Sequence, residues 1–297
     1  MNSIISEYQN CYSTISGILK NNSDVLAAFV FGSMVSGDLW EKSDIDYFVI
    51  VREKEPGITN IYSDFLGRRV HFKLLSKEEL LGNRELSLRG GFLHRIFSAS
   101  KPVFSKDEEI TRFYNDGRFY DDISRKKWTL NYLGKLIKKV DSTDKSLVNA
   151  NYSAAFFSAV EAMHFYGMVE INSRGYMVSR DNINIASSLD SEYENQFSAL
   201  VSGGDLETRI RNALSYIKES VDGTIAEASG IIFSFLREQN KPVSSNELKT
   251  SPYFKDYSIE MEAILSLLYE KKLIKKEYRE VFTSPGKILI RENVYLI

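Results

Sequence analysis

The sequence predicts an α+β protein in three parts: a mixed sheet flanked by helices over residues 1–122, a helical bundle over 123–224, and short helices ending in a β-hairpin over 225–297. Three observations carry this. An apolar run, Val25 to Phe31, stops at Gly32-Ser33 and is followed, after a polar segment with a second glycine at Gly37, by another apolar run, Tyr47 to Val51, led by Asp44 and Asp46. From about Ser124 the apolar residues recur at three- and four-residue steps, the period of packed helices. After Lys275-Lys276, two strand-like runs, Glu277 to Thr283 and Lys287 to Leu296, flank the turn residues Ser284-Pro285-Gly286.

Taken in order, Ile4, Ile5, Tyr8, Cys11, Tyr12, Ile15 and Leu19 mark an amphipathic helix that covers the sheet. The first strand runs into Gly32-Ser33, a turn that lets backbone approach a phosphate and that opens a short helix. Residues i and i+2 of a strand share a face, so Asp44 and Asp46 stand side by side while Ile45 turns into the core. Two like charges held so close call for a cation, and hard carboxylate oxygens suit Mg²⁺, whose remaining ligands are water and phosphate. Arg52 to Gly57 reads as a charged turn and Ile58 to Leu66 as short helix or loop. In the next strand, Val70 to Leu75, Val70, Phe72 and Leu74 share one face and Arg69, His71 and Lys73 the other. Ser76 and Glu79 have the spacing of a helix cap, which makes Glu78 and Glu79 capping residues rather than catalytic ones. An apolar stretch leads to Pro102, and Lys106 to Asp122 reads as a helix and connector with Phe113, Tyr114, Phe119 and Tyr120 among its charges.

The pattern Gly32-Ser33-x3-Gly37-x5-Ser43-Asp44-x-Asp46, with apolar strands on both sides, resembles the DNA polymerase β-type nucleotidyltransferase superfamily, which includes aminoglycoside and other small-substrate nucleotidyltransferases. The resemblance implies a nucleotidyltransferase fold over residues 1–122 that takes Mg²⁺ as cofactor and a nucleoside triphosphate, ATP first, as substrate. It assigns metal binding and catalysis to Asp44 and Asp46, and nucleotide binding to Gly32, Ser33 and Ser43. It also implies a third acid on the strand facing the aspartates. His71 stands at that position here, with Lys73 the nearest alternative, so His71 is expected either to ligate metal or accept a proton in place of the acid, or to play no part. Arg89, His94 and Arg95 fall where the family passes near the nucleotide, although a solvated helix face explains them equally.

In the middle part, Trp128, Leu130, Tyr132, Leu133, Leu136, Ile137 and Val140 form one helix. Asn151 to Ile171 forms a second, with small and aromatic residues alternating as close helix packing requires. A break follows from Gly175 to Ser188, then helices over Tyr193 to Val201 and Leu206 to Val221. The order resembles the helical substrate domain of antibiotic nucleotidyltransferases, in which a glutamate such as Glu161 can act as base; an ordinary polar position on an amphipathic helix is the favoured reading of Glu161. The last part, helices over Ala226 to Gln239, after Pro242, and over Ser258 to Ile274 followed by the hairpin, resembles a winged helix. Its reading helix would present Asp256, Ser258, Glu260 and Glu262, which repel phosphate, so packing or partner binding is favoured over DNA reading; Lys271, Lys272, Lys275, Lys276 and Lys287 are left to touch a backbone.

Composition sets the outer bounds. An apolar share of 43% and a charged share of 26% belong to a globular chain, and 297 residues suffice for two or three domains. The single cysteine, Cys11, rules out an internal disulfide and thiolate zinc sites. With no apolar run of bilayer length and no signal peptide in the first twenty residues, a reducing cytoplasm is the expected location. A net charge of −2 supplies no global attraction to nucleic acid. Two functions follow: transfer of a nucleoside monophosphate, AMP first, to a hydroxyl of a small molecule or protein, or nucleotide binding without turnover that signals through the C-terminal part.

Overall fold

The computed structural model describes residues 2–37, 39–82, 91–118, 121–179, 181–284 and 286–297. Arg89, Gly90, Phe119, Tyr120 and Pro285 lie outside the described residues. The chain forms two compact units, Met1–Asp121 and Asp122–Ile297.

The first unit comprises α1 (Asn2–Asn21), β1 (Val25–Phe31), α2 (Ser33–Ser36), β2 (Ile45–Val51), β3 (Thr59–Phe65), β4 (Arg68–Ser76), α3 (Lys77–Gly82), α4 (Phe92–Ser98), β5 (Lys101–Ser105) and α5 (Glu108–Asp116). Its sheet has the order β3-β4-β2-β1-β5. Only the β2–β4 pair is parallel. Strand alternation sends Ile45, Tyr47 and Val49 to one face, packed with Tyr8, Cys11 and Ile15 of α1. Phe48 and Ile50 go to the other, packed with Phe29, Leu80, Phe97 and Tyr114 under the remaining helices. Phe29 and Tyr114 stack with centroids 4.5 Å apart. Each such aromatic, fully buried, stabilises by about 1.5–3 kcal/mol. The sheet is thus a layer between two apolar half-cores.

Two strands differ from expectation. Residues 58–66, read as helix or loop, form β3, an edge strand whose first six residues are all exposed. With no buried side to mark, its composition carries no alternation signal. It is imposed by a two-residue turn, Leu66-Gly67, in which both residues have positive φ (48° and 73°), the geometry that matches strand twist. Pro102 sits inside β5 rather than before a break, and it is tolerated because β5 is the other edge of the sheet.

The second unit holds α6 (Asp122–Val148), α7 (Tyr152–Ser173), α8 (Asn182–Leu189), α9 (Ser191–Val201), α10 (Leu206–Ala228), α11 (Gly230–Gln239), β6 (Val243–Ser244), α12 (Ser245–Thr250), α13 (Met261–Glu270), β7 (Lys275–Ser284) and β8 (Lys287–Leu296). Small residues Ala155, Ala159 and Ala162 of α7 are fully buried, as their alternation with aromatics predicts. The expected boundary at 224/225 falls inside α10, and one apolar cluster runs from Leu130 to Tyr295, so bundle and C-terminal part share a core. Asn131 of α6 reinforces this by donating to the Ser258 carbonyl at 3.1 Å. The run around 182–189, expected to be a break, is helical; Gly175 at φ 86° ends the preceding segment. Ser244 and Glu247 form a reciprocal cap, each side chain bonding the other's backbone N–H. The hairpin forms as expected and sits in a sheet of order β6-β8-β7. Among the described residues no helix is long and apolar enough to cross a membrane.

One charged group ties the first unit's helices together. Asp107 caps α5 by accepting from the N–H groups of Glu109 and Ile110 at 2.9 and 3.2 Å, and its second oxygen accepts from Lys77 Nζ at 2.6 Å. Burial alone would push its carboxyl upward, but the Lys77 bond and the two N–H donors outweigh it and hold the pKa below the usual range. A depressed carboxylate contributes stability above its unfolded pKa, near 3.9, and loses it as pH falls through the lower folded value. Asp107→Ala is expected to cost about 1 kcal/mol in urea unfolding at pH 7, and to lose less stability than the wild type on acidification below about pH 4.

Candidate active site

The site is built on the register of the sheet. Ile45 pairs with Val70 and Asp46 with His71 across the parallel β2–β4 ladder, and His71 pairs in turn with Tyr62 of β3, while Phe31 of β1 lies opposite Asp46. Cross-strand partners share a face, so Tyr62, His71, Asp46 and Phe31 form one row across four strands. The same register sets Arg69 beside Asp44, and Lys73 in the row of Asn60 and Phe48. The polar face of β4 foreseen from its alternation therefore lies directly against the carboxylates of β2.

Each carboxylate meets a basic group. His71 Nδ1 lies 2.9 Å from Asp46 Oδ1. Its Nε2 lies 3.0 Å from Asn60 Oδ1, an oxygen fixed in orientation by accepting from Lys73 Nζ at 2.8 Å. The His71 side chain is 9% exposed and stacks flat on Tyr62, with centroids 4.3 Å apart and planes 3° from parallel. His71 is buried rather than partly exposed, and its two ring nitrogens face Asp46 and Asn60. Arg69 Nε stands 2.8 Å from Asp44 Oδ1, and its Nη2 donates to the Lys42 carbonyl. The Arg69–Asp44 contact is one of charge rather than of an aimed hydrogen bond, because buried Asp44 Oδ1 has no donor in hydrogen-bonding geometry.

The turn before these carboxylates is equally constrained. Gly32 adopts φ 72°, and a Cβ built there would lie 2.6 Å from Asp46 Oδ2. Its carbonyl accepts from Val35 and Ser36 N–H, closing α2. Ser33 Oγ reaches the Asp44 carbonyl at 3.4 Å. Ser43 is buried: its Oγ accepts from Trp40 N–H at 3.1 Å and its carbonyl accepts from the Tyr8 hydroxyl at 2.6 Å. As placed, Ser43 pins the loop that delivers Asp44.

The remaining candidates are spoken for elsewhere. Ser76 Oγ accepts from Glu79 N–H and donates to Glu79 Oε2, and Glu79 Oε1 accepts from Gly57 N–H at 2.5 Å. That Gly57 bond is the main reason the Glu79 carboxyl lies below its usual range. It is a capping residue, as its spacing indicates. His94 is fully buried within α4 and Arg95 is exposed on that helix. In the second unit, Glu161 accepts from Lys139 Nζ at 2.6 Å, Glu260 pairs with Lys138 at 2.7 Å, and Glu262 accepts from the Tyr295 hydroxyl at 3.1 Å. The residue that sequence reasoning missed is Arg69. It was visible as a face-mate of His71, but its partner follows only from the β2–β4 register.

The donor set at Asp44 and Asp46 fits a magnesium ion. Two hard carboxylates on one sheet face are what Mg²⁺ takes from protein when phosphates and water supply the rest. Asp44 Oδ1, buried without a hydrogen-bond donor, is an acceptor still to be satisfied. Among the described residues no three His, Cys, Asp or Glu side chains cluster to hold a metal.

These features define a class. Residues 13–109 match the family model described as polymerase beta, nucleotidyltransferase, and the first unit carries a nucleotidyltransferase domain of that type. The crystal structure of a nucleotidyltransferase-like protein from Exiguobacterium sibiricum 255-15 is similar in fold over 98% of both chains, at 17% identity and a TM-score of 0.65. No curated protein matches the chain.

Because Gly32 has both a positive φ and Asp46 at its back, Gly32→Ala is expected to destabilise the first unit by about 1–3 kcal/mol, seen as a lowered midpoint in thermal unfolding.

Proposed function

We propose that the protein transfers a nucleoside monophosphate, AMP from ATP in the first instance, to the hydroxyl of a small molecule or protein. The observation that carries the reading is the pairing of the Gly32 turn with the two carboxylates: the backbone comes so close to Asp46 that no side chain fits between them. Such a turn serves a ligand that is phosphate on one side and bound to a carboxylate-held cation on the other.

In this reading Asp44 and Asp46 hold the magnesium ion, which supplies neutralisation of the charge that builds on the triphosphate. Gly32 and Ser33 bring backbone and hydroxyl to the phosphates. The acceptor oxygen attacks the α-phosphorus, the bond to the bridging oxygen breaks, and pyrophosphate leaves. His71 holds Asp46 in place through Nδ1 and is itself held by Asn60 and Tyr62. With both ring nitrogens engaged, His71 is a positioning residue, and the acceptor's proton passes to a carboxylate oxygen or to water.

A different observation, the basic face of β4, favours a second reading, nucleotide binding without turnover. A strand that offers Arg69, His71 and Lys73 where the family places an acid favours holding a polyphosphate over activating a hydroxyl. The C-terminal helices and hairpin, winged-helix-like in order, would then relay occupancy to a partner. Glu260 and Glu262 near the start of α13 are bound within their own unit, which supports packing over DNA reading for that helix.

Transfer of labelled AMP from ATP, assayed over an acceptor panel with pyrophosphate release as readout, separates the readings. Asp44→Asn is expected to lower transfer by at least about a hundredfold. Equal labelling by this variant overturns the assignment, and tight ATP binding with no pyrophosphate from any acceptor selects the second reading.

A further inference from the structure

On β4, the position beside Asp44 is filled by a cation. Arg69 projects from an exposed strand position, and its side chain is 62% accessible while the Asp44 side chain is 33% accessible. The guanidinium bridges the Lys42 carbonyl and Asp44 Oδ1, yet no N–H is aimed at that oxygen. The contact therefore holds charge without fixing geometry, as a readily exchanged counter-ion does. An oxygen cannot keep a guanidinium 2.8 Å away and also bind a divalent ion without strong repulsion between the two cations. Arg69 must leave Asp44 when metal arrives. A planar, permanently charged fork released at that point has a natural acceptor in phosphate oxygens, which it binds in bidentate fashion.

We propose that Arg69 is a two-position cation of this site: it balances Asp44 while the divalent ion is absent and turns to the triphosphate when the ion binds. The inference rests on the nucleotide-and-metal reading above and adds a residue to it. Arg69 thereby competes with metal in the free protein and assists nucleotide in the metal-bound one, so its removal has opposite effects on the two ligands. A purely structural surface arginine would move neither.

The test uses the full chain and two direct binding measurements. Mn²⁺, as a paramagnetic stand-in for Mg²⁺, is titrated by electron paramagnetic resonance without nucleotide. ATP is then titrated by calorimetry at saturating Mn²⁺. Arg69→Gln is expected to bind Mn²⁺ about fivefold tighter than wild type and ATP about fivefold more weakly, the scale of one exposed ion pair. Arg69→Lys, which keeps the charge, is expected to retain wild-type Mn²⁺ affinity within about twofold. Unchanged or weaker Mn²⁺ binding by Arg69→Gln, or unchanged ATP binding, overturns the two-position role while leaving the nucleotidyl-transfer reading standing. A wild-type chain that binds neither Mn²⁺ nor ATP overturns both.

Discussion

The parallel pairing of β2 with β4 is the constraint on which the first unit's chemistry depends. It is the one parallel ladder in the described sheet, and its register decides what stands next to each aspartate. Shifting β4 by one residue would turn Arg69, His71 and Lys73 to the α1 face and bring Val70 and Phe72 against the carboxylates. The two half-cores oppose that slip, since Val70 is 1% exposed among Tyr8, Ile45 and Tyr47. Apolar packing on one face of the sheet thus sets the electrostatics of the other.

Each acid of the site has a basic side chain beside it, His71 beside Asp46 and Arg69 beside Asp44. This distinguishes it from a site of three acids, in which unliganded carboxylates repel and the ion is needed to hold them together. The two basic neighbours differ in kind. His71 is buried and stacked on Tyr62 between Asp46 and Asn60, whereas Arg69 is exposed and reaches Asp44 without an aimed hydrogen bond, so one is framework and the other is exchangeable.

Much of the first unit was legible from local pattern. The Gly32 turn, the aspartate pair and the polar face of β4 all follow from residues close in sequence. What escaped was set by distant partners. β3 has no apolar stripe because neither of its faces is covered, and β5 carries a proline that only an edge position accommodates. The bonds that Ser43 makes with Trp40 and Tyr8, the latter on a helix more than thirty residues away, are not written in the local pattern. In the second unit, the division expected at 224/225 rested on an order of helices and hairpin that resembles a winged helix, whereas the buried faces on both sides of that point enter a common core. The order of elements reports what a segment carries, not what it packs against.

The Leu66-Gly67 turn has a consequence for how the site comes into being. A two-residue turn lets β3 and β4 zip together locally, with little loop to close, so Tyr62, Asn60 and His71 can meet early. Asp46 is 25 residues from His71, so that pairing closes a longer loop at greater entropic cost. The basic half of the active face is thus local to one hairpin, and the acidic half reaches it through a non-local pairing.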